Sequence, residues 1–182
     1  MGVGGSKGRG ERGPRSPRAP AGGVAGRGGV AAKARAGHAP GAVNGSGAAK
    51  LVFDFPSSYE KGHDAQCRIL DAAEKSGFRG ESYFALRIAL EEALVNAIRH
   101  GNNVDPGKNV HVEAKVSSKR VEILVEDEGP GFNRAHVPDP TAEENLEKCS
   151  GRGILLIESY MSKVRWDRGG RRLRMVRENR GE

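Results

Sequence analysis

The chain reads as an α+β domain: a two-layer α/β sandwich whose mixed, mostly antiparallel sheet carries its helices on one face. Three observations lead there. Apolar residues alternate strictly through 109–126, with Val110, Val112, Ala114 and Val116 followed by Val121, Ile123 and Val125. That period of two belongs to a sheet with one covered face. In the preceding stretch Leu86, Leu90, Leu94 and Ala97 recur at helical spacing instead. Finally, the elements run in the order β-α-α-β-β-loop-α-β-β, with the longer helices ahead of strands joined by short turns, as a helix layer on one side of a sheet requires.

Taken from the start, residues 1–49 are rich in Gly, Ala, Arg and Pro and contain no Phe, Leu, Ile, Trp or Tyr. Such a segment buries too little apolar area to offset its backbone entropy, so a disordered basic tail is expected. Residues 1–50 hold nine basic side chains and one acid, Glu11, a balance of +8, while the remaining 132 residues hold 21 basic and 22 acidic ones. The high isoelectric point therefore belongs to the tail, and the near-neutral domain gives no electrostatic reason to bind nucleic acid. The tail itself is open to several readings: a loose phosphate contact with RNA or DNA, the short N-myristoylation pattern of Met1–Ser6, an organelle transit peptide, or an inert extension. Cys67 and Cys149 lack metal-ligand spacing and read as reduced thiols. With no apolar run long enough to span a bilayer and no signal-peptide core, a cytoplasmic protein without membrane attachment is expected.

The domain is expected over residues 50–178, leaving 179–182 as a C-terminal tail. Leu51–Phe55 alternates as a strand and meets Pro56-Ser57-Ser58, a helix N-cap signal. A first helix follows over about Ser58–Lys75, closed by Ser76-Gly77. A second starts after Gly80, with Glu81 and Ser82 as candidate caps, and runs to about His100. Gly101–Lys108 is dense in turn formers. Strands follow at Asn109–Val116 and Arg120–Glu126, the latter ending in Asp127-Glu128-Gly129-Pro130-Gly131-Phe132. Residues 133–150 have no periodicity, and a structureless connection of that length suggests a lid. It ends at Ser150-Gly151-Arg152-Gly153, a glycine-flanked start for the helix carrying Ile154–Ile157. Ser162–Asp167 and Arg172–Arg177 form a hairpin around Arg168-Gly169-Gly170.

Three clusters could carry chemistry. Glu92, Asn96 and His100 stand four apart and form one polar stripe, drifting about 40° per step on an α-helix. An amide oxygen is a hard ligand suited to one position on a Mg²⁺ ion that phosphates and water otherwise surround. A carboxylate beside it can take a proton from an attacking hydroxyl, an effect worth about 10²–10⁴-fold in rate. Asp127, at the end of a buried strand, can accept a hydrogen bond from an exocyclic amine, and Gly129 and Gly131 permit close approach of a ligand. Gly151-Arg152-Gly153 at a helix start offers free N–H groups and a guanidinium to phosphates. Each is weak alone: the first also reads as an ordinary amphipathic helix, the second as a strand-ending turn, the third as a loop-to-helix junction. Their order, with a lid between the second and third, is far more specific.

In that order the sequence resembles the ATP-binding domain shared by gyrase-type ATPases, ninety-kilodalton heat-shock chaperones, histidine kinases and mismatch-repair ATPases. Leu90–Gly101 resembles its N box, Asp127–Phe132 its first glycine box and Ser150–Ile157 its second. The wording Glu-Ala-Leu-Val-Asn-Ala-Ile-Arg-His-Gly and Gly-Arg-Gly-Ile-Leu-Leu-Ile is most similar to the small anti-sigma-factor serine kinases. The likeness covers roughly Lys50–Glu178 and implies a Bergerat-type ATP-binding fold, with ATP and Mg²⁺ as cofactors. It implies that Glu92 is the general base, that Asn96 binds Mg²⁺, and that Asp127 holds the adenine amine. Gly129 and Gly131 would make room for the nucleotide, Gly151 and Gly153 would wrap the phosphates, and residues 133–150 would be the ATP lid. His100 is read as bracing the following loop and Glu91 as a solvated charge.

Two departures stand out. Where the family commonly has a threonine on its last strand, this chain has Gly169-Gly170-Arg171-Arg172-Leu173-Arg174, which shifts adenine selectivity toward Asp127. Where relatives place an arginine before the second glycine box to meet the terminal phosphate, Lys148 and Arg152 stand as alternatives. The resemblance implies a protein serine/threonine kinase that phosphorylates a small anti-sigma antagonist protein, with sequestration of a sigma factor and homodimerisation as further implications. The rival is a regulatory module that uses ATP only to set its shape and switch partners. A histidine kinase is disfavoured for want of a preceding dimerising helix pair, and a gyrase-type motor for want of a following transducer domain.

Overall fold

The computed structural model describes residues 1–2, 43–44, 48–133 and 152–181, and its elements all lie within the unit Ala36–Glu182. The expected lid (apart from Asn133), Lys148, Cys149, Gly151 and nearly all of the tail lie outside the described residues. Six strands form one sheet: β1 (Val43–Asn44), β2 (Ala48–Pro56), β3 (Asn109–Val116), β4 (Arg120–Asp127), β5 (Lys163–Asp167) and β6 (Arg172–Glu178). The strand order is β1-β2-β3-β4-β6-β5, and every described pairing is antiparallel. Among the described residues three α-helices complete it: α1 (Tyr59–Lys75), α2 (Gly80–Val95) and α3 (Arg152–Tyr160). The first two strands begin earlier than expected: β2 starts at Ala48, and β1 pairs with it from within the stretch assigned to the tail.

Register builds the core. Phe53, Val112, Val125, Leu173 and Trp166 stand opposite one another across five strands, as do Leu51, Ala114, Ile123, Met175 and Val164. These rows share the face against which the helices pack, and Val112, Ala114, Val125 and Met175 are buried. α2 is apolar around most of its circumference because it has neighbours on several sides: α1, α3 and β6. Its Ala85, Leu86, Ala89 and Leu90 are fully buried, and a buried leucine contributes roughly 1.5–3 kcal/mol by leaving water.

The local signals of α1 work as read. Ser58 is its N-cap, with its side chain accepting from Lys61 N–H at 3.5 Å. Past Ser76 the chain turns at Gly77, with φ +94°, while Phe78 N–H donates to Ala73 O at 3.0 Å and Gly77 N–H to Glu74 O at 3.1 Å. That is a Schellman closure, which needs a left-handed residue at Gly77. At α2 the expected caps are corrected. Arg79 is the N-cap position and makes no side-chain cap. Glu81 instead pairs with Arg177 and Arg180, and the Ser82 hydroxyl accepts from Arg180 N–H. Partners from the distant C-terminal segment, Arg177 on β6 and Arg180 just beyond it, claim both side chains.

A cleft at the end of the inward sheet face

The apolar inward face of the sheet ends in a carboxylate. Asp127 follows Val125 on that face and stands opposite Val110 across the ladder. Its carboxylate sits between two glycines. A Cβ on Gly101 would stand 2.6 Å from each carboxylate oxygen, and one on Gly129 would overlap Gly101 O. Gly129 N–H donates to Asp127 Oδ1 at 2.8 Å. Burial pushes the Asp127 carboxyl above the usual aspartate range, against the opposing pull of the Gly129 N–H and the nearby Arg171.

Helix α2 does not continue as an α-helix to His100. From Asn96 to Gly101 it becomes a π turn, with Asn102 N–H donating to Ala97 O at 2.9 Å. In an i→i+5 turn each residue rotates less than the ~100° of an α-helix, so the four-residue stripe keeps its α-helical geometry only from Glu92 to Asn96. Glu92 and Asn96 are half-buried, whereas Glu91 is exposed, as expected. His100 is also exposed and has no hydrogen bond among the described residues, so it does not brace the loop. Asn102 does. Fully buried, it donates to Ser57 Oγ at 2.7 Å and to Asn109 O at 2.9 Å, and accepts from Glu128 N–H at 2.8 Å. Nothing along the chain signals this, because Asn102 stands in a run of ordinary turn formers.

Helix α3 closes the third side. Gly153, in its first turn, lies so close to α2 that a Cβ there would strike Glu92 Oε2 and stand 3.5 Å from Asn96 Nδ2. The fourth side is the β5–β6 hairpin. Phe132 N–H donates to Gly169 O at 2.9 Å, and a Cβ on Gly131, whose φ is +76°, would overlap the same carbonyl. Phe132 meets Trp166 edge to face, with ring centroids 5.0 Å apart.

These elements enclose a cleft of about 730 Å³ lined by Glu92, Asn96, His100, Gly101, Asp127, Gly131, Phe132, Arg152, Gly153, Trp166 and Arg171. Of the residues singled out from sequence, Glu92, Asn96, Asp127, Gly131, Arg152 and Gly153 thus share one cavity. Gly129 stands behind Asp127. Lys148 and Gly151 lie outside the described residues. Trp166 joins the site without having been foreseen, and Gly101 and Arg171, which fell within stretches matched to the family, had been given no role of their own. A β-strand tryptophan reads as core, and Arg171 reads as one charge in a basic run.

The cleft presents unmet polar groups. Among the described residues three buried side-chain nitrogens have no partner, and two of them, Asn96 Nδ2 and Trp166 Nε1, belong to residues lining it. A buried unpaired polar group costs roughly 1–3 kcal/mol, a cost that a polar ligand can relieve. No internal bond fixes the Asn96 amide nitrogen, so either end of that amide can serve a ligand. No group of three or more His, Cys, Asp or Glu among the described residues could hold a metal. A Mg²⁺ ion arriving with phosphates does not need such a cage, because one or two protein oxygens suffice.

Residues 55–177 match the family model described as histidine kinase-like ATPase domain. Among curated relatives, a serine-protein kinase RsbW of Oceanobacillus iheyensis is 29% identical over 121 residues, covering 63% of this chain and 77% of that one. An anti-sigma F factor of Shouchella clausii is 30% identical over 88 residues, 47% of this chain and 60% of its own length. A serine-protein kinase RsbW of Bacillus licheniformis is 32% identical over 101 residues, 51% of this chain and 62% of its own. No helix among the described residues is long and apolar enough to cross a membrane.

Proposed function

The chain belongs to the family of histidine kinase-like ATPase domains, and we propose that it works as an ATP- and Mg²⁺-dependent serine/threonine protein kinase of the anti-sigma-factor type. The observation that carries this reading is the approach of Gly153 to both Glu92 and Asn96. It sets the start of a helix, with its positive dipole end, beside a carboxylate and an amide. A terminal phosphate received there would lie next to a general base and a Mg²⁺ ligand.

In this reading Asp127, ionised, accepts a hydrogen bond from the adenine amine at the far end of the cleft, and Gly129 and Gly131 leave room for the base. Asn96 supplies the protein oxygen to Mg²⁺, and the chemistry the bound ion supplies is neutralisation of phosphate charge. Gly151 and Gly153 let the main chain follow the phosphates. Of the two candidates for the terminal phosphate, Arg152 lines the cleft. Glu92 has no hydrogen-bond partner among the described residues, which leaves its carboxylate available to the hydroxyl of an incoming serine or threonine. The partner we propose is a small anti-sigma antagonist protein as phosphate acceptor, with a sigma factor as a second, sequestered partner. The relative named a serine-protein kinase supports a protein acceptor, and the one named an anti-sigma F factor supports a sigma-factor partner.

The test is Glu92→Ala. Nucleotide affinity measured by calorimetry should stay within a few-fold of wild type. Transfer of labelled phosphate to the antagonist protein should fall by at least about 10²-fold, the lower bound for loss of a general base. Undiminished transfer would remove Glu92 from the reaction.

A further inference from the structure

No described helix covers the sheet face away from α1, α2 and α3, and its charge is unevenly arranged. On the β4–β6–β5 side Arg172 stands between Glu126 and Asp167, and Arg174 stands between Leu124 and Arg165. Two arginines directly opposite each other on an antiparallel pair repel, which lowers stability unless something offsets it. Here Asp167 does so in part: Arg165 Nε donates to its Oδ1 at 2.9 Å and Arg174 Nε to its Oδ2 at 3.2 Å. Glu126 does the same for a second pair, accepting from Arg172 Nε and Nη2 at 2.9 and 2.6 Å and from Arg168 Nη1 at 2.8 Å.

Two carboxylates thus hold four guanidiniums, leaving two positive charges uncompensated within the cluster. The carboxylates are mostly covered, at 19% and 24% exposure, while Arg165, Arg168 and Arg174 expose 77%, 56% and 52% of their side chains. Burial works to raise the Glu126 carboxyl, but the hydrogen bonds and charges of Arg172 and Arg168 outweigh it and hold it below the usual range. The acids are therefore spent orienting arginines whose remaining N–H groups face outward. A guanidinium fixed in advance loses less entropy when it meets a carboxylate.

We propose that the face of β6 and β5 away from those helices, centred on Arg165 and Arg174, is a docking surface for an acidic segment of a protein partner. Protein suits it better than nucleic acid for two reasons. Half-buried Leu124 and Val176 lie beside the arginines on this face, and an apolar centre with arginine around it is the make-up of protein interfaces. The patch also offers no aromatic ring on which bases could stack, since Trp166 points inward with Leu173. The surface adjoins the cleft, because the hairpin turn that follows Asp167 forms the wall against Phe132. Docking requires neither ATP nor phosphotransfer, so its failure and that of the kinase reading are separate outcomes.

Trp166 is the only tryptophan in the chain and lies on β5 itself, so its fluorescence reports on this hairpin. The full-length protein is titrated with a short oligoglutamate peptide in nucleotide-free buffer, and in parallel with a single-stranded oligodeoxynucleotide of similar charge. The peptide should give a saturable change whose midpoint rises with salt, as screening of exposed charges demands. In Arg165→Gln/Arg174→Gln the midpoint should rise at least about tenfold, the scale of losing charge-assisted contacts. In Lys50→Gln/Lys115→Gln, at the other end of the same face, it should not move. Arg165→Lys/Arg174→Lys should recover part of the loss and guards against a folding defect. A silent Trp166, an equal rise in both glutamine variants, or a stronger response to the oligonucleotide overturns the proposal.

Discussion

Asp127 costs the free domain stability in order to be ready for a ligand. Its folded-state pKa is raised above the ordinary aspartate value, so the folded protein binds this proton more tightly than the unfolded chain does. The stabilisation linked to that proton is fully present below the unfolded pKa and is lost as pH rises through the folded one. Asp127→Asn should therefore raise the melting temperature of the nucleotide-free protein at neutral pH. The same substitution should weaken ATP binding about ten- to hundredfold, since a hydrogen bond to a charged acceptor is worth roughly 1.5–3 kcal/mol. Scanning calorimetry and titration calorimetry on one preparation check both signs. Affinity equal to wild type would exclude Asp127 from the base site. In wild type, binding should begin to fail at a higher pH than an ordinary aspartate would set, as Asp127 takes up its proton.

At the scale of elements, the turn after α2 carries the most information. The change from α to π at Asn96 leaves Glu92 and Asn96 facing α3 and brings Gly101 under the Asp127 carboxylate. π turns interrupt helices mostly where function requires a shifted side chain. Asn102 holds this arrangement by tying the loop to Ser57, to Asn109 O and to Glu128 N–H. Asn102→Ala would leave those buried groups unpaired, at a cost of about 2–4 kcal/mol. Urea unfolding should show that loss, together with weaker nucleotide binding because Gly101 is no longer fixed. A variant as stable as wild type would mean the loop is held elsewhere. Both ends of α1 were legible in the sequence because a cap and a glycine closure are local events. The π turn and the role of Asn102 were not, since both depend on groups that the chain supplies from β2, β3 and the turn after β4.

Across the whole molecule, the inward sheet face carries a charge at each end. Opposite Asp127's end lies Arg177, paired with Val121 in the ladder and 3% exposed. Its Nη1 donates to Tyr160 O at 2.8 Å and its Nη2 to Glu81 Oε1 at 3.3 Å. One side chain thus joins the end of α3 and the start of α2 to the sheet, and so sets how α3 presents Gly153 to Glu92. Removing only the acid strands a buried guanidinium, whereas removing the arginine leaves Glu81 largely in solvent with Arg180 still beside it. Glu81→Ala should therefore cost more, roughly 1–3 kcal/mol, than Arg177→Met, whose apolar side chain suits the inward face. Denaturant midpoints of the two variants decide it, and the reverse order would show that the carbonyl contact outweighs the ion pair.

The sequence alone determined the α+β sandwich and most element boundaries, and it singled out Glu92, Asn96, Asp127 and Gly153 as candidate site residues. Period-two and helical spacing, caps and glycine punctuation are set by neighbours along the chain, and Glu92, Asn96, Asp127 and Gly153 carry their chemistry in their side chains or in the lack of one. Tertiary structure decided how these residues meet. It brought Gly153 against Glu92 and Asn96, placed the Asp127 carboxylate between Gly101 and Gly129, and recruited Asn102, Trp166 and Arg171 from positions that look ordinary in sequence. The physical reason is that close approach, burial and unmet hydrogen bonds arise only between segments distant along the chain. Residue type and spacing can suggest a ligand, but packing alone creates the cleft that leaves polar groups waiting for one.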